Sequence, residues 1–118
     1  MSIDSSDELE EGMAAYDHGD YVKAFELLVR FAEKGMAPAQ CMVASMYHLG
    51  FGVPINGAEA LKWYHRAAEQ GYALAYNNLG SLYATGCPGV PVDREKAKEC
   101  YRRAVECGFE MIPHSWYD

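Results

Sequence analysis

The chain has 118 residues, of which half are hydrophobic and 23% are charged, as expected for one globular domain that buries a core. Ten Lys and Arg oppose seventeen Asp and Glu without any basic stretch, which argues against a nucleic-acid partner, because phosphates are bound by clustered cations. No apolar run approaches the roughly 18 residues of a membrane span, and the acidic N-terminus lacks the apolar core of a secretory signal. We therefore expect a single domain over residues 1–118, located in the cytoplasm, with no membrane partner.

The first predicted helix, over about residues 6–18, is strongly acidic. Residues 1–20 hold seven acidic residues and no Lys or Arg, whereas the rest of the chain has ten acids and ten bases, so the net charge of −7 resides in this segment. Ser5 and Glu8 have the spacing of a capping box at its start. The charge is explained by solubility and helix-dipole stabilisation, or by an acidic surface that steers a basic partner.

An internal repeat follows. Residues 36–71 align with residues 72–108 with 14 identities in 36 positions, and one extra residue follows Gly86. Residues 19–35 match the second half of the unit, which gives a degenerate first unit over about 6–35. Each unit predicts two antiparallel helices, and three units suffice to stack into one shared core.

Glycines and polar residues mark the helix ends. The first helix of each full unit is predicted to stop at Gly50 and at Gly86, which suit the left-handed position after a helix. Asn56 and Asp93 are the predicted N-caps of the second helices, and Asn56 with Glu59 has capping-box spacing. The tail over residues 109–118 is predicted to fold over the last apolar face with four side chains: Phe109, Ile112, Trp116 and Tyr117.

The cysteines do not form a disulfide framework. Cys100 and Cys107 lie seven residues apart on one predicted helix, a rise of about 10 Å, which is too long for a disulfide. No CxxC motif and no Cys–His spacing typical of zinc occurs. We expect Cys41, Cys87, Cys100 and Cys107 to be buried free thiols in a reducing compartment.

The repeat has a specific residue pattern: Ala, Leu–Gly, Tyr and Gly, then a Gly–Val–Pro loop, then Ala, Trp–Tyr, Ala and Gly. The third unit carries it at Ala75, Leu79, Gly80, Tyr83, Gly86, Gly89, Val90, Pro91, Ala97, Tyr101, Ala104 and Gly108. The second unit carries it at Ala39, Tyr47, Gly50, Gly52, Val53, Ala60, Trp63, Tyr64, Ala67, Ala68 and Gly71. This pattern resembles the Sel1-like repeat, a relative of the tetratricopeptide repeat.

Three departures from the family pattern stand out. Val43 and Ala44 replace the Leu–Gly pair, Cys100 replaces the Trp, and the first unit lacks the glycine loop. The resemblance still implies an all-α fold, a right-handed α/α superhelix of about three antiparallel helix pairs whose first (A) helices line a concave face. It also implies an adaptor or scaffold without catalytic activity.

Catalytic and metal-binding motifs are absent from the sequence, so we expect neither enzymatic activity nor a cofactor. His48 shares a helix face with Cys41, but two turns separate them by about 10 Å, which is too far for direct contact. The remaining histidines are scattered along the chain: His18, His65 and His114. The aromatic residues at repeat-defining positions are attributed to packing: Tyr47, Trp63, Tyr64, Tyr83 and Tyr101.

The candidate partner-binding residues are the A-helix positions that the repeat does not need for packing, by analogy with tetratricopeptide grooves. They are Leu9, Met13, Tyr16, Asp17, Cys41, Ser45, His48, Asn77, Ser81 and Ala84. We expect them to bind a peptide or protein, with Asn77 hydrogen-bonding to its backbone and the acidic residues favouring a basic ligand.

The alternative function is that of a bacterial immunity protein that neutralises a toxin by tight binding. Two copies could also pair as a homodimer through the solenoid ends, and the tail could fill the groove.

Overall fold

The computed structural model describes residues 5–109, and the side chains of residues 7–109. Within this range six helices of 13 residues follow one another in chain order. They are α1 (Ser5–Asp17), α2 (Tyr21–Glu33), α3 (Ala37–Leu49), α4 (Gly57–Glu69), α5 (Ala73–Thr85) and α6 (Arg94–Glu106). Each odd-numbered helix packs on the helix that follows it, and α2 and α4 each pack on the next pair. The predicted all-α repeat of three helix pairs is therefore confirmed.

Glycine and polar caps end the helices at the predicted positions. Gly50 ends α3 with a left-handed backbone, φ 77° and ψ 35°. The Asn56 side chain accepts a hydrogen bond from the backbone N–H of Glu59, and Asp93 does the same at the start of α6. The reciprocal half of the predicted capping box is wrong. The Asn56 backbone N–H donates to the Tyr47 carbonyl oxygen at 2.9 Å, which ties the loop to the end of α3 instead.

Two glycine loops, residues 50–56 and 86–93, connect the helices of the second and third units, and both have tight backbone contacts. At Gly52, which has a φ of 80°, an added Cβ would lie 2.6 Å from the carbonyl oxygen of Tyr21, so the first loop lies directly on α2. The extra residue of the second loop is accommodated by a tight turn. In this turn Cys87 and Val90 exchange two backbone hydrogen bonds of 2.9 and 2.8 Å.

The core runs continuously through all three units. Its largest fully buried side chains are Tyr64, Leu28, Met46, Leu79, Leu82, Val43 and Cys41. Small residues recur where the second helices approach their neighbours, and Ala24, Ala60 and Ala97 occupy the same position in the three units. Such small side chains allow close helix contact, which explains why the repeat keeps alanine there.

Burial of the cysteines differs from the prediction. Cys41 and Cys100 are buried free thiols, as expected, but Cys107 is exposed and Cys87 is only half-buried. Cys107 is the C-cap of α6, where no later helix among the described residues covers it. Cys87 lies in the second glycine loop at the surface.

The acidic helix α1 is partly neutralised within its own hairpin. Glu11 pairs with Lys23 at 2.9 Å and Glu8 lies 3.9 Å from Arg30, so α2 supplies cations to the acidic side of α1. Asp17 is exposed. The Ser5 side chain of the predicted capping box lies outside the described side chains, as does the tail beyond Phe109. Phe109 itself is half-buried against the core.

Candidate binding groove on the A helices

The A helices α1, α3 and α5 form one face of the molecule, and two adjoining depressions lie along it. The first has a volume of about 170 Å³ and is lined by Tyr16, Pro38, Cys41, Met42, Ser45, Tyr72, Leu74 and Asn78. The second has a volume of about 190 Å³ and is lined by Ser45, His48, Leu49, Tyr64, Asn78 and Ser81. Because Ser45 and Asn78 belong to both, the depressions form one groove, which we call the A-helix groove.

One end of the A-helix groove is apolar. Tyr16 reaches it from the end of α1, Met42 from α3, and Tyr72 and Leu74 from the start of α5. Burial raises the pKa values of the Tyr16 and Tyr72 phenols, so both remain neutral at physiological pH. This end therefore offers aromatic and aliphatic surface without charge.

The other end carries a small network of polar groups. The hydroxyl of Tyr64 lies 2.9 Å from the Ser45 hydroxyl and 3.4 Å from Nδ1 of His48. Burial raises the pKa of Tyr64 and lowers that of His48, so this network is uncharged at neutral pH. Such groups can donate or accept hydrogen bonds without an ionic contact.

Asn78 lies where the two ends meet. Its side-chain N–H donates to the thiol of Cys41 at 3.5 Å, which connects α5 to α3 across the floor of the groove. Burial raises the pKa of Cys41 to about 12, so this thiol is neutral and is not a nucleophile at neutral pH. Cys41 therefore contributes a neutral thiol to the groove at neutral pH.

The structure brings together half of the predicted binding residues. The ones that line the A-helix groove are Tyr16, Cys41, Ser45, His48 and Ser81. Leu9, Met13 and Ala84 are half-buried and pack against the core. Asp17 is exposed at the end of α1, and Asn77 is half-buried outside the groove.

Sequence reasoning missed Asn78 and the hydroxyl of Tyr64. The repeat alignment equates Cys41 with Asn77, but one residue turns a helix by about 100°, and it is Asn78 that faces α3. The repeat-defining position of Tyr64 favours a packing role and does not reveal the contacts of its hydroxyl. The signal that could have found it is the pairing of Tyr64 with Ser45, which the next unit repeats with Tyr101 and Ser81.

Neither a metal site nor a membrane span is found in the described part of the chain. Among residues 5–109 no three His, Cys, Asp or Glu side chains cluster closely enough to hold a metal ion. None of the six helices is long and apolar enough to cross a membrane.

Three stacked helix pairs with a groove along one row of helices define an α-helical repeat protein of the tetratricopeptide-like kind. The chain belongs to the Sel1 repeat family, whose model matches residues 11–36, 37–72 and 73–109. The resemblance seen in the sequence is therefore confirmed. Sel1 repeat proteins generally mediate protein–protein interactions, and the family is typically non-catalytic.

Among the curated relatives that match part of the chain are the following two. Chitin synthase regulatory factor 3 of Schizosaccharomyces pombe is 38% identical over 77 residues, which are 64% of this chain and 8% of the relative. The ERAD-associated E3 ubiquitin-protein ligase component HRD3A of Arabidopsis thaliana is 31% identical over 85 residues, 71% of this chain and 12% of the relative. The chain thus spans only a small part of both relatives.

Among the solved structures that share the fold are two bacterial proteins. The protective antigen c5321 of uropathogenic Escherichia coli has a TM-score of 0.80 and 30% identity, covering 90% of this chain and 24% of that protein. A Sel1 repeat protein from Oxalobacter formigenes has a TM-score of 0.71 and 34% identity, covering 89% of this chain and 44% of that protein.

Proposed function

We propose that this chain is an interaction module that binds an extended peptide segment of a partner protein in the A-helix groove. The observation that carries the proposal is the position of Asn78, which lines both depressions. Within the described residues its second N–H and its Oδ1 have no hydrogen-bond partner. A carboxamide with one free donor and one free acceptor matches a peptide backbone, which presents the complementary pair.

The two ends of the A-helix groove suit different side chains of such a peptide. The first depression is walled by Tyr16, Met42 and Leu74 and favours an apolar or aromatic residue. The second contains the hydroxyls of Tyr64 and Ser81 and favours a polar residue. The stacked helices hold these walls in place before binding, which limits the entropy lost on docking.

The charge near the groove favours a basic peptide. Glu8 and Glu11 already face cations of α2, whereas Asp17 is exposed directly beside Tyr16. A Lys or Arg next to the apolar residue of the peptide would therefore face Asp17. The alternative role as a toxin-neutralising immunity protein draws no support from the four relatives named above.

The proposal is tested with a random peptide library displayed on phage and selected on the immobilised chain. Selected peptides are then titrated against the wild type and against Asn78→Ala, Tyr16→Ala and Asn77→Ala. We expect Asn78→Ala and Tyr16→Ala each to weaken binding about tenfold or more, about 1.4 kcal/mol. Asn77→Ala is the matched control, because the same residue type lies one position away outside the groove.

Two further results complete the test. Asp17→Asn should weaken binding at low salt and reduce its dependence on salt concentration. Equal affinity of the wild type, Asn78→Ala and Tyr16→Ala, all folded by circular dichroism, would show that peptides bind elsewhere and would overturn the proposal.

A further inference from the structure

The third unit lacks the tryptophan that the second unit buries. Trp63 on α4 is only 4% exposed, and two cations lie on its ring. The Arg66 guanidinium is 4.9 Å and the Lys62 ammonium 5.1 Å from the ring centroid. The equivalent position on α6 is Cys100, whose side chain is much smaller.

A depression of about 440 Å³ opens beside Cys100, between the second helices α4 and α6. Its aromatic and aliphatic walls come from α5, and charged residues of α4 and α6 surround them. The lining residues are His65, Glu69, Tyr76, Leu79, Tyr83, Lys96, Glu99, Cys100 and Arg103. We call it the Cys100 pocket. Residues 76, 79 and 83 lie on the face of α5 opposite to Asn78 and Ser81, so this pocket is separate from the A-helix groove.

The pocket keeps one of the two cations that lie on Trp63, because the position equivalent to Lys62 is Glu99. Arg103 occupies the position equivalent to Arg66, and its Nε–H donates a hydrogen bond to the Glu99 carboxylate at 2.9 Å. Lys96 adds a second cation, 5.4 Å from the ring centroid of Tyr83. Aromatic walls favour an aromatic ligand, and the planar guanidinium of the Arg103–Glu99 pair can stack on the face of an indole, which attracts cations.

We propose that the Cys100 pocket binds a tryptophan side chain of a partner protein, which takes the place of the indole missing from α6. The volume of the pocket lies in the range of ordinary ligand sites and exceeds that of one indole, which leaves room for the adjoining backbone. The buried Cys100 thiol, whose pKa burial raises to about 11, contributes neutral surface at its floor. This second surface is independent of the proposed function of the A-helix groove.

The direct test uses N-acetyl-tryptophanamide as the probe and protein NMR as the readout. Titration of the wild-type chain is expected to shift the amide signals of Tyr76, Leu79 and Cys100, and to leave those of Ser45 and His48 on α3 unchanged. N-acetyl-leucinamide is the control ligand and should bind at least tenfold more weakly. Equal binding of the two ligands, or shifts confined to other regions, would overturn the proposal.

Variants test the same site from the protein side. Cys100→Trp places the indole in the pocket and is expected to raise Tm and to abolish probe binding. Should that variant not fold, Arg103→Ala provides the second test, with at least a threefold loss of affinity for the probe. Asn78→Ala should bind the probe like the wild type, which separates this site from the groove.

The chain itself offers one competing occupant. Trp116 lies in the tail outside the described residues, and Trp116→Ala removes it. Equal affinity of the wild type and Trp116→Ala for the probe supports a site open to a partner. Binding that is seen only in Trp116→Ala would show that the chain fills its own pocket, and it would overturn the proposal of a partner site.

Discussion

The hydroxyl of Tyr64 lies 2.9 Å from the hydroxyl of Ser45 and so joins the two helices of the second unit. The third unit repeats the arrangement with Tyr101 and Ser81 at 3.4 Å. The tyrosine of each second helix therefore has two roles, because its ring fills the core while its hydroxyl fixes a serine of the A helix. In the second unit both hydroxyls also line the A-helix groove.

Replacing Tyr64 with Phe removes this hydrogen bond and keeps the ring. We expect the free energy of unfolding to fall by about 1 kcal/mol, the usual contribution of one such bond. Tyr101→Phe is the matched control and should cost less, since its hydrogen bond is longer. Urea unfolding followed by circular dichroism measures both, and a larger loss in Tyr101→Phe would contradict the stabilising role assigned to the Ser45 contact.

Gly80 is required by the ring of Tyr101. A Cβ added at Gly80 would lie 2.7 Å from that ring, well inside contact distance. Gly80→Ala should therefore lower stability by about 1–3 kcal/mol, although alanine is the better helix former. Ala44 occupies the equivalent position in the second unit, and there Ala44→Gly should cost about 1 kcal/mol. Thermal unfolding of the two variants checks this, and a more stable Gly80→Ala would show that Tyr101 moves aside at no cost.

Most of the architecture could be predicted from the sequence, because helix ends and repeats depend on local residues. Gly50, Asn56 and Asp93 end or begin their helices as predicted. The capping box of Asn56 and Glu59 could not be predicted correctly, since the competing acceptor is the distant Tyr47 carbonyl. Local patterns do not reveal which of two acceptors a backbone N–H finds in the folded chain.

The candidate site was harder to predict for a related reason. The repeat alignment makes Asn77 the equivalent of Cys41, whereas the residue of the third unit that contacts Cys41 is Asn78. Equivalent positions therefore have different neighbours in the second and third units. Within the described residues no A helix follows α5, and Oδ1 of Asn77 is buried without a hydrogen-bond partner.

The four thiols should differ widely in reactivity. Cys107 is exposed and should react first with Ellman's reagent at pH 8, followed by the half-buried Cys87. The buried Cys41 should not react before unfolding, because at a pKa of about 12 only about one thiol in ten thousand is ionised at pH 8. Mass spectrometry of the labelled peptides identifies the order. Labelling of Cys41 ahead of Cys107 would contradict the burial described above.

Burial of Cys41 also predicts a loss of stability at alkaline pH. Its pKa is raised from 9.0 to about 12 in the folded chain, so between these values the unfolded chain releases a proton that the folded chain keeps. The contribution of the protonated Cys41 thiol to the free energy of unfolding is fully present below about pH 9 and is lost as pH rises toward 12. Urea unfolding at pH 7, 9 and 10 should show this decline, and Cys41→Ala should make it shallower. Cys107→Ala, which changes an exposed thiol, should follow the wild-type slope; an identical slope in Cys41→Ala would remove Cys41 as the cause.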